Sequence, residues 1–514
     1  MTAMQSVRPH VITVANPADG STVGDVPVVG ADDVAALAGR LRAAQPEWEA
    51  LGPPGRRHWL MNYQEWVLDN SERLIDVVQS ESGKTRGDAS VEPTMMASLL
   101  DFWSGHAEHY LADERPRSWN PVAATKHLAV VYRPYPLVGV ITPWNYPLMM
   151  PGLDGVAALA AGAAVLLKPS EVTPLSAVEL TRGWDEIGAP AVFGLVTGYG
   201  ETGAAVIARS DFVQFTGSTA TGRKVAVACA ERLIPCSLEL GGKDPALVLS
   251  DADLERAANG IVYGGMVNSG QVCVSVERVY VEAPVYDEFV GKLTEKVQAL
   301  RQGQDDRGWR FDVGALATMA QRDIVTRHVD EAVAAGARVV TGGKPSGTGT
   351  FFEPTILVDV DHSMACMTQE TFGPTLPVMK VADEAEAIRL ANDSIYGLSA
   401  TVWSKDKERA DRVARRLDTG AVNINDVLAN AFASEVPMGG WKQSGIGARG
   451  GGAHGIRKFC RAQAITSARV PELSSEPLWY PASRRRTGIV LAMLRAASAR
   501  GLRRFGITPK GSGR

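Results

Sequence analysis

Residues 31–110 place apolar side chains three and four apart, as in Val34-Leu37-Leu41 and Trp59-Tyr63-Trp66, among alanines and charged residues. That spacing predicts a series of amphipathic helices. From 128 onward the pattern changes. Short β-branched and apolar runs at 128–131, 137–142, 164–167, 192–196, 212–215 and 246–249 alternate with helix-like stretches, which predicts βαβ units around a largely parallel sheet. A second alternating region runs from about 247 to 440, with helices near 253–265 and 285–301 and apolar runs at 278–281, 355–360 and 399–403; it reads as a second α/β domain. The Gly-dense stretch 437–452 (PMGGWKQSGIGARGGG) reads as a loop, and 463–470 as a short strand. No internal repeat is visible.

The 514 residues leave room for two or three domains. With 45% hydrophobic and 21% charged residues, the chain has the balance of a globular protein and not of a disordered one. A net charge of only −4 gives no reason to expect nucleic acid as a partner. That charge is segregated, however. Residues 484–514 carry nine Lys or Arg and no acid, whereas residues 1–483 hold 44 basic against 57 acidic residues, a net of −13. Within this basic extension, Thr487–Phe505 sets Leu491, Leu494, Leu502 and Phe505 near one face, with Arg495, Arg500, Arg503 and Arg504 among them. Such a segment can lie on an anionic membrane; a solvated tail, or one docked on the acidic body of a neighbouring subunit, is the plainer expectation.

Five scattered cysteines (229, 236, 273, 366, 460) make no disulfide framework, and none sits in a spacing suited to zinc, so no metal is expected and a reducing compartment fits best. Met1–Gly20 has no apolar core of signal-peptide length and no stretch approaches the ~20 apolar residues that span a bilayer. The reading is cytoplasmic.

Two residues stand out by context: Glu239 in Leu-Glu-Leu-Gly-Gly-Lys and Cys273 in Asn-Ser-Gly-Gln-Val-Cys, thirty-four positions apart. Gly270 is expected to let the backbone approach a ligand closely, and a thiol there needs activation to act as a nucleophile. Taken alone, Cys273 reads as a small buried hydrophobe, Asn145 as a turn residue and Glu239 as a paired structural carboxylate. Two G-x-G-x-x-G matches, Gly198–Gly203 and Gly445–Gly450, are each weak evidence for a pyrophosphate loop, and only the first follows a strand-like run.

Seven segments change those readings together: Thr142-Pro-Trp-Asn-Tyr-Pro147, Leu167-Lys-Pro-Ser-Glu171, Phe215-Thr-Gly-Ser-Thr219, Leu238-Glu-Leu-Gly-Gly242, Gly270-Gln-Val-Cys273, Glu370-Thr-Phe-Gly-Pro374 and Asn392-Asp-Ser-Ile-Tyr-Gly397. In kind and order they resemble the aldehyde dehydrogenase superfamily, over most of the chain. The resemblance implies an α/β fold with a Rossmann-like coenzyme domain (1–118 and 134–245), a catalytic domain (246–440), a small oligomerisation β-extension (119–133 and 455–470) and, beyond it, the basic extension 471–514. It implies a homodimer or homotetramer acting on a small-molecule aldehyde.

By the same resemblance Cys273 attacks the aldehyde carbonyl, and the Asn145 amide with the Cys273 backbone N–H holds the oxyanion. Glu239 activates water to hydrolyse the resulting thioester, a task suited to a carboxylate whose pKa burial raises. Coenzyme contacts are implied at Trp144, Lys168, Glu171, Gly217, Ser218, Gly222, Leu240, Glu370 and Phe372. The pyrophosphate falls to Gly217-Ser218 at a helix N-terminus, Gly198–Gly203 lies beside the adenosine, and Glu370 with Phe372 clamps the nicotinamide ribose. Glu171 favours NAD over NADP, because a carboxylate accepts from a ribose 2′-hydroxyl and repels a 2′-phosphate, although Lys168 beside it can tolerate a phosphate.

After Ser444-Gly-Ile-Gly447 the family continues Arg-Glu-x-Gly, whereas this chain reads Ala448-Arg-Gly-Gly-Gly452. The departure is expected to bear on loop geometry and subunit contact and not on catalysis. Arginines that anchor a succinate-semialdehyde carboxylate in well-known relatives would fall near Leu153 and Val267. Met149, Met150, Leu153, Met266 and Val267 instead describe an apolar channel for aliphatic or aromatic aldehydes. The Cys273-Val-Ser-Val-Glu-Arg278 run and the C-terminal extension still resemble some bacterial succinate-semialdehyde dehydrogenases, the alternative substrate. Reductive or non-catalytic relatives of the fold form a different class; Glu239 argues against the first, and Cys273, Asn145 and Glu239 together against the second.

Overall fold

The computed structural model describes residues 10–120, 123–469, 471, 474–505 and 507. Residues 1–9 of the leader reading, and Lys510 and Arg514 of the basic extension, lie outside them. The chain divides into two compact units, Met1–Tyr110 with Pro134–Phe459, and Leu111–Arg133 with Cys460–Arg514.

The first unit opens on an antiparallel hairpin, Val11–Ala15 and Thr22–Pro27. Four helices follow: Ala31–Ala50, Gly52–Asp69, Ser71–Ser82 and Arg86–Tyr110. Local chemistry sets the breaks. Gly52-Pro53-Pro54 opens the second helix, proline being tolerated in a first turn, and Gly83 at φ +74° ends the third.

The first of two large sheets has the order Gly445–Ile446, Cys236–Glu239, Phe212–Thr216, Leu137–Ile141, Ala164–Lys168, Phe193–Leu195, parallel except for Gly445–Ile446. The chain enters at its middle, winds out through Ala164–Lys168 to one edge, then returns to the far side at Phe212–Thr216. Winding therefore reverses between Leu137–Ile141 and Phe212–Thr216, and ligands bind in the crevice beyond the carboxyl ends at such a reversal. Leu137, Val138, Val140, Val165, Leu166 and Leu167 are fully buried. Helices cover both faces, which is why these strands read as continuous apolar runs without alternation.

The second sheet has seven strands in the order Arg338–Thr341, Thr355–Val358, Thr375–Val381, Val276–Glu282, Asp244–Val248, Ser399–Trp403, Ala421–Ile424, parallel except for the first pair. Successive residues feed opposite cores: Ala246 and Val248 pack on one side with Ile261 and Phe289, Leu247 and Leu249 on the other with Val325 and Phe352. The stretch 437–452 is not a plain loop. It holds four two-residue strands, one of which, Gly445–Ile446, adds an edge to the first sheet beside Leu238 and Glu239.

In the second unit Lys126–Pro134 and Cys460–Ala468 form a two-stranded sheet. It is followed by the helix Arg484–Ser498 and a short 3-10 turn Gly501–Phe505.

Candidate active site

Leu137–Ile141 delivers Pro143, Trp144 and Asn145, and Phe212–Thr216 delivers Gly217 and Ser218, to the crevice at the winding reversal. There they line a cleft of about 820 Å³, open to solvent, with Glu239, Leu240, Cys273, Glu370 and Phe372. Nine of the twelve residues singled out in the sequence thus meet in one cleft; Lys168, Glu171 and Gly222 do not line it. Lys168 ends the strand Ala164–Lys168 and donates to Glu171 at 3.3 Å. Gly222 serves packing, since a Cβ there would stand 2.4 Å from Leu240.

Cys273 follows a constrained turn. Asn268, Ser269 and Gly270 all adopt positive φ (52°, 57° and 73°), and a Cβ on Gly270 would come within 2.1 Å of the Gly373 carbonyl. The glycine therefore permits a close approach to the Gly373-Pro374 backbone, and the expectation of a ligand at that point is corrected. Asn145 Nδ2 donates to Gln271 O at 2.9 Å, and Asn268 Nδ2 holds the Asn145 and Gln271 carbonyls at 3.0 and 3.1 Å. An amide has two N–H bonds, so one remains available to a ligand beside Cys273.

Glu239 ends the strand Cys236–Glu239, and its carboxylate is buried with no hydrogen-bond partner on either oxygen. Burial raises its pKa to about 8, opposed by the Arg449 and Lys458 cations, with Asp154 adding to the rise. The Cys273 thiol is likewise pushed up to about 12 by burial, against Arg449. In this state burial holds both groups toward their neutral forms.

The other wall is held by a buried pair absent from the sequence reading. Glu277 accepts from Lys243 at 2.6 Å and from the Thr371 and Phe372 N–H groups at 2.8 Å each. This fixes the segment carrying Glu370 and Phe372. Phe372 meets Trp144 edge to face with centroids 5.4 Å apart, and Glu370 accepts from Gly242 N–H at 3.0 Å. The only hint in sequence was a Lys directly after Gly-Gly and an acid four residues after the cysteine.

A second, largely apolar cavity also reaches Cys273, lined by Met149, Met150, Leu153, Tyr146, Tyr263, Val267, Phe432, Met438 and Asp88, among others. Met266 does not line it. It packs in the core of the seven-stranded sheet, because its helix Leu254–Met266 ends there and the chain turns at Val267. Asp88 was missed: it accepts from Asn268 N–H at 3.1 Å, and burial raises its pKa to about 6, opposed by Lys84. Glu92, one helical turn on, pairs with Lys84 at 2.6 Å and accepts from Leu148 and Met149 N–H at 2.9 and 3.0 Å, an acid on the positive end of the helix Met149–Ala161.

Arg449 corrects a further expectation. The departure from the family pattern at 448–452 sends a buried guanidinium into the neighbourhood of Glu239 and Cys273, where it pairs with Asp154. Among the described residues no group of three or more His, Cys, Asp or Glu is arranged to hold a metal ion.

Comparison with known proteins places these features. The Aldehyde dehydrogenase family matches residues 4–465. A provisionally named NADP-dependent succinate-semialdehyde dehydrogenase of Mycolicibacterium smegmatis is 39% identical over 474 residues, 90% of this chain and 91% of that protein. The 4,4'-diapolycopene aldehyde oxidase of a Methylomonas species is 41% identical over 476 residues, 92% and 88% of the two chains. Among solved structures, the provisionally assigned aldehyde dehydrogenase PutA of Anabaena variabilis superposes with a TM-score of 0.87 at 38% identity, covering 91% of this chain and all of the other.

Proposed function

The chain belongs to the aldehyde dehydrogenase family, which oxidises aldehydes to carboxylic acids, and on that premise we propose that it oxidises an apolar aldehyde through a thioester on Cys273 with NAD. The observation carrying this reading is the junction itself. The cleft and the apolar cavity have only Met150 and Cys273 in common among their lining residues, with Glu239 and Asn145 on the cleft side.

In this reading the six-stranded sheet carries the coenzyme and the seven-stranded sheet the nucleophile. Cys273 gives up its thiol proton to solvent water and adds through Sγ to the aldehyde carbon, and the Asn145 amide with the Cys273 N–H takes the oxyanion; donors fixed where charge develops need no reorganisation. The crevice fits a dinucleotide: it lies at a winding reversal, and the helix Thr219–Glu231, capped by Ser218, points its N-terminal N–H groups there for a pyrophosphate. Trp144, Leu240, Glu370 and Phe372 would flank the nicotinamide end, and Lys168 and Glu171 would take the adenosine ribose. When bound, the coenzyme supplies the acceptor for the hydride that leaves the carbon. Glu239, once ionised, takes a proton from water as that water attacks the thioester carbonyl, and Cys273 departs as thiolate.

Substrate choice follows from the cavity wall. It has no Lys, Arg or His, and Asp88 is its acid, so an aldehyde bearing a carboxylate would meet apolar surface and a like charge. The Methylomonas relative is named for a long polyene aldehyde, which suits such a wall; the Mycolicibacterium relative's name favours succinate semialdehyde with NADP as the second reading. A panel of succinate semialdehyde, hexanal, decanal and benzaldehyde, each run with NAD and NADP at 340 nm, separates them. The expected result is a kcat/KM for decanal at least tenfold above that for succinate semialdehyde, with NAD preferred. The reverse order on either axis overturns that part of the proposal.

The exposed two-stranded ribbon of the second unit supports homo-oligomer formation, since an isolated pair of strands is marginal in water. In the helix Arg484–Ser498, Ile489, Leu491 and Met493 are exposed beside Arg484, Arg485 and Arg495, and Phe505 beyond it is 80% exposed. The side chain of Leu502 lies outside the described residues. These features fit peripheral contact with an anionic membrane, although no helix among the described residues is long and apolar enough to cross one. Sedimentation equilibrium should give two or four copies, and co-sedimentation with anionic vesicles should fall on deleting 484–514. A monomer refutes the first statement and unchanged co-sedimentation the second.

A further inference from the structure

Beneath Glu239 lies a set of charges that the proposed reaction has not used. Thr216 and Glu239 are register partners on adjacent parallel strands, so their side chains leave the sheet on the same face. On the other side Glu239 pairs with Gly445, and four residues later the chain brings in Arg449. The Arg449 guanidinium is buried and held at three points. Its Nε donates to Asp154 Oδ1 at 2.6 Å, its Nη2 to Asp154 Oδ2 at 2.9 Å, and Nη2 also to Thr216 Oγ1. Thr216 in turn donates to Asp154 Oδ2 at 3.1 Å.

This leaves one donor over. Nη1 of Arg449 is buried with no partner, and so are both oxygens of Glu239. A buried donor or acceptor left unsatisfied loses its hydration with nothing in return, and a charged one loses most. Their coexistence on one face is explained if the two meet in a state of the catalytic cycle in which Glu239 is ionised.

We propose that Arg449, clamped by Asp154 and Thr216, is a positioning residue for Glu239: its unshared Nη1 receives the ionised carboxylate and keeps it charged and directed behind the thioester. The proposal rests on Glu239 being the general base. Asp154 serves as the clamp that aims the guanidinium, offsetting its charge in the interior. Lys458 is a second cation in the same row, donating to Gln214 Oε1 at 2.8 Å and Ala448 O at 2.9 Å. The charged groups around Glu239 are therefore Arg449 and Lys458, which favour the carboxylate, and Asp154, which opposes it, with the Cys273 thiol facing it across the cleft. Arg449 is the larger of the two cationic influences.

The test is the pH dependence of kcat for the full-length enzyme, with the amplitude of the pre-steady-state NADH burst recorded beside it. In Arg449→Met the rising limb moves to higher pH by at least one unit, about a tenfold loss at pH 7 that is regained in alkali. Burst amplitude stays as long as acylation outruns hydrolysis, while the burst itself slows, because Arg449 also opposes the rise of the Cys273 thiol. Arg449→Lys keeps the charge and holds the limb near its original position. Arg449→Met strands a buried Asp154 and can unfold the chain, so the double variant Arg449→Met/Asp154→Leu, which replaces the pair with apolar groups, is measured as well; such replacements are often neutral for stability. Its limb also moves up, by less, because the opposing acid is gone too. A limb that stays in place in the folded double variant, or a kcat lowered equally at every pH, overturns the proposal. Failure of its foundation is distinguishable: Glu239→Gln would then retain both turnover and limb.

Discussion

Cys273→Ala is expected to lower kcat/KM for every aldehyde by at least ~10⁴-fold, the order seen when a covalent nucleophile is removed from an otherwise intact site. Ala removes only the sulfur, and coenzyme affinity should persist because Trp144, Ser218, Leu240 and Phe372 line the cleft independently of the thiol. Steady-state NADH formation gives the rate, and quenching of coenzyme fluorescence shows that the cleft still fills. Residual turnover above one hundredth of the parent would sink the thioester route.

Glu239→Gln is expected to lower kcat by ~10²–10⁴-fold, the usual share of a general base, while leaving a burst of NADH equal to the enzyme concentration. The burst is the diagnostic part. Acylation needs Cys273 and Asn145, whereas only hydrolysis needs the carboxylate, so the variant should stall as acyl-enzyme. The parent should show the titration directly. Glu239 has its pKa raised to about 8 and is protonated below that value, so kcat rises as pH increases through this range and levels off above it. In Glu239→Gln that limb disappears. A variant with unchanged kcat, or a parent whose kcat falls between pH 7 and 9, would remove Glu239 from the role.

The two sheets were legible because strands buried on both faces leave unbroken apolar runs, as at Ala164–Lys168 and Asp244–Val248. Catalytic candidates were legible through local motifs: those of Asn145 and Glu239 mark strand ends and that of Ser218 a helix start, whereas Cys273 lies in a turn ahead of the strand Val276–Glu282. What escaped is tertiary. The strands inside 437–452 are two residues long and carry no period, so nothing in their sequence announces that Gly445–Ile446 extends a sheet or that Arg449 reaches Asp154. Asp88 and Glu92, four apart on a helix, belong to no motif, and only the fold brings Asn268 to the first and Lys84 with the start of Met149–Ala161 to the second. Met266 and Val267 are adjacent in sequence and end on opposite sides of a wall, because the helix stops between them and the next residues adopt left-handed backbone.

The narrow junction between the two cavities bears on how such an enzyme diversifies. Only Met150 and Cys273 line both, so on the proposed reading residues such as Val91, Tyr263 and Phe432 can change without touching the surfaces assigned to the coenzyme. Selection can then explore new aldehydes one side chain at a time while the redox half stays intact. Met150 is the exception, a position where drift toward a new substrate would be felt at once by the cofactor, and libraries for altering specificity gain by holding it fixed.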